Sequence, residues 1–359
     1  MLQAAIVGAT GIVGQQFVQA LQHHPWFTIA ALAASQRSAG KSYRQALQNP
    51  ETGAMHWYAG PLPDAAVLDL PVEAADELDP TRFDVIFTGI ESAPAKTLEP
   101  LYAKSCPVIS TASAFRYDED VPVLIPGVND DHVALLERQQ HQRGWKGFVT
   151  PNPNCTTIGL AITLAPLARQ FGLDTVVMTS MQAVSGSGRN GGVLSLDIVD
   201  NVIPYIPQEE EKVQREARKI LGRRTATGIE PATFRMSATC TRVPVLDGHT
   251  ESVLAVTQQH ATTTAAREAF THFGEEFVQL QLPSSPRQFI IVHDDPFRPQ
   301  PRLDRDTDDG MATTVGRLRA DTAFEHGLQY VLLSHNTKMG AAKGSVLTAE
   351  LLVHKGYIG

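Results

Sequence analysis

Cys155 lies in the string PNPNCTTIGLAITL, where an Asn-Pro-Asn turn gives way to an apolar, helix-like run just after the thiol. The spacing puts the sulfur at or near a helix N-terminus, where unpaired N–H groups and the macrodipole favour negative charge. Such a setting lowers a thiol's pKa and turns a small apolar residue into a nucleophile. The competing role is that of a buried structural cysteine. Cys106 and Cys240 have no comparable setting. Three cysteines so far apart suggest neither a disulfide framework nor a zinc site, and no metal is expected.

A second chemical signal is GATGIVG, with glycines at Gly8, Gly11 and Gly14 and with Thr10, Ile12 and Val13 between them. It follows a predicted strand over 2–7 and opens a predicted helix over 12–21. Glycines there let the backbone turn tightly and approach a pyrophosphate seated on the helix N-terminus. The alternative is a tight strand–helix turn without a ligand. A second apolar strand over 27–33 completes a βαβ unit. An NAD enzyme places Asp or Glu at the end of that strand, yet no acidic residue occurs between Gly14 and Glu51. Ser35, Gln36, Arg37 and Ser38 stand there instead, with Lys41 nearby. Hydroxyls and a guanidinium suit a 2′-phosphate, so the expected cofactor is NADP.

A nicotinamide cofactor beside an activated thiol implies acyl chemistry through a thioester. Other residues stay open on local pattern alone. Gln182 is a polar residue at a strand end, before a Gly/Ser loop. Glu209 and Lys212, three apart on a predicted helix, also suit a surface ion pair. Arg116 also suits a solvated loop. His249 follows Asp247-Gly248, a turn signal. A regular two-residue hairpin would put Arg242 and His249 on one face but several residue pairs apart. Pro244 breaks the ladder, which predicts a bent or bulged connection.

These residues need a scaffold to hold them. Further buried strands are predicted over 66–70, 84–88 and 107–110, alternating with helices as in a parallel sheet covered on both faces. From about Asp174 the texture changes to closely spaced strand-like strings: TVVMTSMQAV, ATCTRVPV, HTESVLAVTQ, FIIVHD and TTVGRLRA. Helices are predicted over 209–221, 263–280 and 344–354. The expected class is α/β: a Rossmann-type NADP-binding domain at 1–153, completed by 336–359, and an α+β domain at 154–335. The 359 residues carry a net charge of −8, which argues against a nucleic-acid partner. No run is long enough to span a bilayer, and the N-terminus has no basic leader. A soluble, cytoplasmic protein is expected.

Taken together, GATGIVG, PNPNCTT, SMQAVSGSG, SLDIVDNVIPYIPQEEEKV, RVPVLDGHTE, RPQPRLD and NTKMGAA resemble the aspartate-semialdehyde dehydrogenases of archaea and fungi. The resemblance covers nearly the whole length. It implies that Cys155 is the nucleophile, His249 the general acid/base, and Gln182 the group orienting the acyl intermediate. It assigns Arg242 to the substrate α-carboxylate and Glu209 to its ammonium or the neighbouring network, with Glu210 or Glu211 as alternatives. Lys212, Arg116 and Asn154 would surround the phosphate, with Ser113 as an extra donor. Ser185 and Gly186 would lie near the nicotinamide and Asn336 near the cofactor. Arg189-Asn190 departs from the small or apolar residues expected after SGSG. The implied reaction is reductive dephosphorylation of L-aspartyl 4-phosphate to L-aspartate 4-semialdehyde, serving lysine, methionine and threonine biosynthesis. A homodimer or homotetramer, formed through the second domain, is implied as well. The rivals are an acyl-coenzyme A reductase resembling malonyl-coenzyme A reductase, and a non-catalytic NADP-binding protein.

Overall fold

The opening string LQAAIV forms strand β1 (Leu2–Val7), whose last four residues are buried. It sits in a parallel six-stranded sheet with β2 (Phe27–Ala34), β3 (Val72–Ala74), β4 (Val85–Thr88), β5 (Val108–Ser110) and β6 (Val149–Pro151). The strand order β3-β2-β1-β4-β5-β6 reverses direction at β1/β4, the Rossmann arrangement, and such reversals open a crevice at the carboxyl ends of the strands. Helix Ile12–Leu21 packs against the C-terminal helix Ala342–His354. A buried His24–Glu350 hydrogen bond of 2.8 Å ties the end of the first to the second. The computed structural model describes residues 1–188 and 195–359. They group into a first unit (Met1–Val123, His132–Asn152, Ala341–Gly359) and a second (Leu124–Asp131, Pro153–Gly340).

The second unit is built on a mixed six-stranded sheet. Its strands are β7 (Leu173–Gln182), β10 (Arg235–Arg242), β11 (His249–Thr257), β12 (Ile290–Val292), β13 (Thr313–Ala320) and β14 (Gly327–Ser334). A small ribbon, β8 (Arg223–Arg224) with β9 (Ile229–Glu230), lies apart from it. The order is β10-β7-β11-β14-β13-β12, with β7–β11, β11–β14 and β13–β14 antiparallel. Helix Cys155–Phe171 runs across this sheet, touching β7, β11, β13 and β14. Gly159 lets it come close: a Cβ there would stand 2.7 Å from Ser334 Cβ. Helix Glu209–Ile220 packs on β10 and on helix Cys155–Phe171.

Three expectations are corrected. The segment expected as a strand at 66–70 is instead a helical turn, Ala65–Leu68, because Ala-Ala after Asp64 favours helix and Pro71 delays the strand to Val72. The helix expected over 263–280 is two, Thr263–Thr271 and Glu275–Val278, broken where Gly274 takes a φ of 78°. Arg242 and His249 are not joined by a hairpin of either kind, since β7 lies between β10 and β11. The intervening segment crosses over, Val245 and Leu246 accepting from Val184 and Ser185 N–H.

Candidate active site

Asn154 and Cys155 start their helix together. Asn154 is its N-cap, accepting from the N–H groups of Thr156 and Thr157, and Cys155 is the first helical residue. An Asn cap fixes the first turn, so the thiol's place relative to the helix axis is set by local chemistry. Cys155 is half-buried, and its Sγ stands 3.2 Å from His249 Nε2.

Sheet register brings the remaining groups to this point. Arg242 on β10 pairs with Gln182, the last residue of β7. On the other side of β7, Thr250 pairs with Met181, so His249 begins β11 at the same end. The order of strands therefore does what a hairpin could not: Arg242 and His249 flank Gln182. The Ala183 peptide fastens both, its N–H donating to His249 Nδ1 at 3.1 Å and its carbonyl accepting from Arg242 Nη1 at 2.8 Å. With Nδ1 an acceptor, the neutral imidazole carries its proton on Nε2 and offers it to the sulfur. Burial, then the Arg242 charge and His335, push His249 down to about 3, which keeps the ring neutral. Burial also lowers Arg242, while charges on Cys155 and Glu209 oppose that shift. Gln182 is buried and donates to Ser180 Oγ at 3.2 Å. Gly186 lies directly against this buried pair: a Cβ there would stand 2.9 Å from Arg242 Nη1 and 3.1 Å from His249 Cε1.

The three adjacent glutamates separate by partner. Glu209 is buried and accepts from Asn154 Nδ2 at 2.8 Å, Glu210 accepts from the Cys240 N–H, and Glu211 is exposed. Lys212 is half-buried one turn along the same helix. Asn336 links two loops, accepting from Gly248 N–H and donating to Ser185 Oγ, each at 2.8 Å. Arg189-Asn190 lies outside the described residues. Two participants escaped the sequence. Ala183 acts through its backbone and carries no side-chain signal. Glu216 accepts from the Asn154 N–H at 2.6 Å. Its place seven residues after Glu209 on an amphipathic helix puts both on one face, a legible clue.

The remaining expected residues belong to the first unit. Gly8 has a φ of 84°, and a Cβ on it would meet Gly89 O at 2.4 Å. A Cβ on Gly14 would meet Gly8 O at 2.1 Å, so the turn closes only with glycine at both positions. Gly11 caps helix Ile12–Leu21 with no side-chain bond, and its own Cβ would meet nothing nearer than 3.4 Å. Thr10, Ile12 and Val13 complete this bare helix start, which fits a pyrophosphate. Ser35 and Arg37 are exposed just past β2, and Ser38 is buried. Gln36 between them donates to Asp76 and Glu77, carboxylates that the local sequence did not place there. Arg116 is buried and donates to Thr111 O at 2.9 Å. Ser113 Oγ stands 2.7 Å from Ser92 Oγ.

Two family models match the chain. Residues 3–136 match the family description "Semialdehyde dehydrogenase, NAD binding domain", and residues 164–339 match "Semialdehyde dehydrogenase, dimerisation domain". The chain is 44% identical to the aspartate-semialdehyde dehydrogenase of Methanothermobacter thermautotrophicus, over 98% of this chain and 99% of that one. It is 46% identical to that of Archaeoglobus fulgidus, over 98% of each. Among solved structures, aspartate semialdehyde dehydrogenase with NADP from Candida albicans superposes with a TM-score of 0.88 at 36% identity, covering all of both chains.

Proposed function

The chain belongs to the aspartate-semialdehyde dehydrogenase family, and from that premise we propose that it interconverts L-aspartyl 4-phosphate and L-aspartate 4-semialdehyde with NADP. The observation that carries this is the Cys155–His249 contact of 3.2 Å at a helix start, with the buried Arg242 guanidinium tied to the same Ala183 peptide.

In the reductive direction Cys155 attacks the acyl carbon as a thiolate. The His249 Nε2–H first stabilises the sulfur and then faces the oxygen on which negative charge develops. Phosphate leaves, balanced by Arg116 and Lys212, with Asn154 and Ser113 as further donors. A thioester on Cys155 remains, its acyl group oriented by Gln182. NADPH, when bound, would supply the hydride for its reduction. His249 then serves the thiohemiacetal oxygen, and collapse of that adduct frees the aldehyde and the thiolate. Donating a whole proton needs the imidazolium, whose Nδ1–H would face the Ala183 N–H. The resting ring is therefore built to donate a hydrogen bond rather than to store a proton. Arg242 holds the α-carboxylate through its planar fork, and Glu209 holds the ammonium.

Gly8, Thr10, Gly11, Ile12 and Val13 would hold the cofactor's pyrophosphate, and Ser35, Arg37 and Ser38 its 2′-phosphate. Ser185, Gly186 and Asn336 would serve its nicotinamide end. The match to a dimerisation domain supports a homodimer or homotetramer formed by the second unit. Three widely spaced cysteines suit a reducing cytoplasm. Biosynthesis of lysine, methionine and threonine is the expected setting.

A substrate panel in the oxidative direction tests the assignment. Aspartate semialdehyde with phosphate and NADP should turn over far faster than malonate semialdehyde with coenzyme A. The reverse preference would establish an acyl-coenzyme A reductase instead, and no turnover with either would favour a binding protein.

A further inference from the structure

Glu99 has no part in the chemistry above, yet it is fully buried in helix Ser92–Ala103 and faces the carboxyl ends of two strands. Thr88 and Ser110, the last residues of β4 and β5, are register partners. Both hydroxyls donate to one Glu99 oxygen, Oε1, each at 2.6 Å. Ser110 Oγ in turn accepts from the Ala112 N–H at 3.0 Å, which starts the loop after β5. The same loop is pinned at Thr111, whose N–H and hydroxyl both donate to the Thr88 carbonyl. It is pinned again at Ser113, whose N–H donates to Ser92 Oγ at the head of the Glu99 helix. Arg116 folds back onto the carbonyl of Thr111. Ser113 and Arg116 thus ride on a loop whose first residues are tied, through Ser110, to a buried carboxyl.

We propose that Glu99 is a positioning residue for phosphate, acting through Ser110 and the 111–116 loop to hold Arg116 and Ser113 in place. This rests on the assignment of Arg116 to phosphate made above. A fold-filling residue at this site has no need of a charge-bearing group, because apolar side chains satisfy a buried space without desolvation cost. Burial pushes Glu99 up to about 7, opposed by the Ser110 and Thr88 hydroxyls that donate to it and by the Arg116 guanidinium. Glu99 Oε2 is buried with no hydrogen-bond partner among the described residues, leaving the whole hydroxyl load on Oε1.

The test measures Michaelis constants for inorganic phosphate, aspartate semialdehyde and NADP in the oxidative direction, with melting curves to confirm folding. Glu99→Leu should raise KM for phosphate about tenfold, since a small displacement of a binding group costs this much or more. The constants for the other two substrates should move less than about twofold, as uniform loosening is not expected. Glu99→Gln keeps an acceptor oxygen for both hydroxyls and should restore most of the phosphate affinity. Ser110→Ala removes the hydroxyl that joins Glu99 to the Ala112 N–H while leaving the Thr88–Glu99 bond, and should raise the phosphate constant by an intermediate factor; it decides the matter if Glu99→Leu does not fold. Unchanged phosphate constants in Glu99→Leu and Ser110→Ala overturn the proposal, as does an equal rise in all three constants. Arg116→Lys separates the two levels. If it leaves the phosphate constant unchanged, the phosphate assignment itself falls. If it raises that constant while Glu99→Leu does not, only the role of Glu99 falls.

Discussion

Three thiols in one chain offer an internal comparison of what surroundings do to one functional group. Burial pushes Cys106 and Cys240 up to about 12, whereas Cys155 starts a helix beside an imidazole N–H. Iodoacetamide at neutral pH should therefore label Cys155 well before the other two, as peptide mass mapping will show. Preferential labelling of Cys240 would contradict the assignment of the nucleophile. His249 makes a second residue-scale prediction. The folded protein takes up its proton only below about pH 3, the unfolded chain already below 6.5. Its contribution to stability is complete above pH 6.5 and is lost as the pH falls toward 3. Urea unfolding across that range should show a smaller acid loss for His249→Asn than for the unmodified protein. Equal losses would mean the ring is not held neutral. Cys155 was legible because helix-start chemistry is local. Ala183 was not, because a backbone that braces two side chains leaves no trace in residue type.

At the scale of elements, the site depends on how closely one helix lies on the second sheet. Ser334 pairs with His249 in register, and Gly159 lets the Cys155 helix settle against Ser334. Gly159→Ala should lift the helix and lengthen the Cys155–His249 contact. Overpacking of this kind costs about 1–3 kcal/mol, offset by about 1 kcal/mol from helix propensity, so stability should fall modestly. The rate should suffer more, with kcat down about tenfold or more because the reacting geometry shifts. Unchanged kcat would show that helix placement is not limiting. Strands with strong local pattern were legible at nearly their observed ends, β1 and β13 among them. Strand β14, GLQYVLLS, was overlooked although its apolar run offered a signal. The hairpin between Arg242 and His249 could not be corrected from sequence, because strand order is a long-range property. The helical turn at Ala65–Leu68 shows propensity outweighing a short apolar run.

For the whole molecule, the glycine loop, the strand order of the first sheet and the family match all point one way on cofactor class. The choice between NADP and NAD rests on a few side chains past β2. Arg37 is exposed, so the hydrogen bonds proposed for it with a 2′-phosphate would be partly screened and worth about 1.5 kcal/mol, roughly tenfold. Arg37→Ala should raise KM for NADP by that factor and barely alter KM for NAD. Equal kcat/KM for the two cofactors in the unmodified protein would contradict the preference. The fold class was readable from several motifs in order, while the contacts among the candidate residues were not, since these arise from register across β7. The central claim is that aspartyl transfer passes through Cys155, and it can be observed directly. The protein should be mixed with aspartate semialdehyde and NADP without phosphate, quenched in acid, and examined by intact and peptide mass spectrometry. The account predicts an aspartyl thioester on the Cys155 peptide, discharged by added phosphate and absent in Cys155→Ser. An unmodified Cys155 under these conditions, or turnover retained by Cys155→Ser, would contradict it.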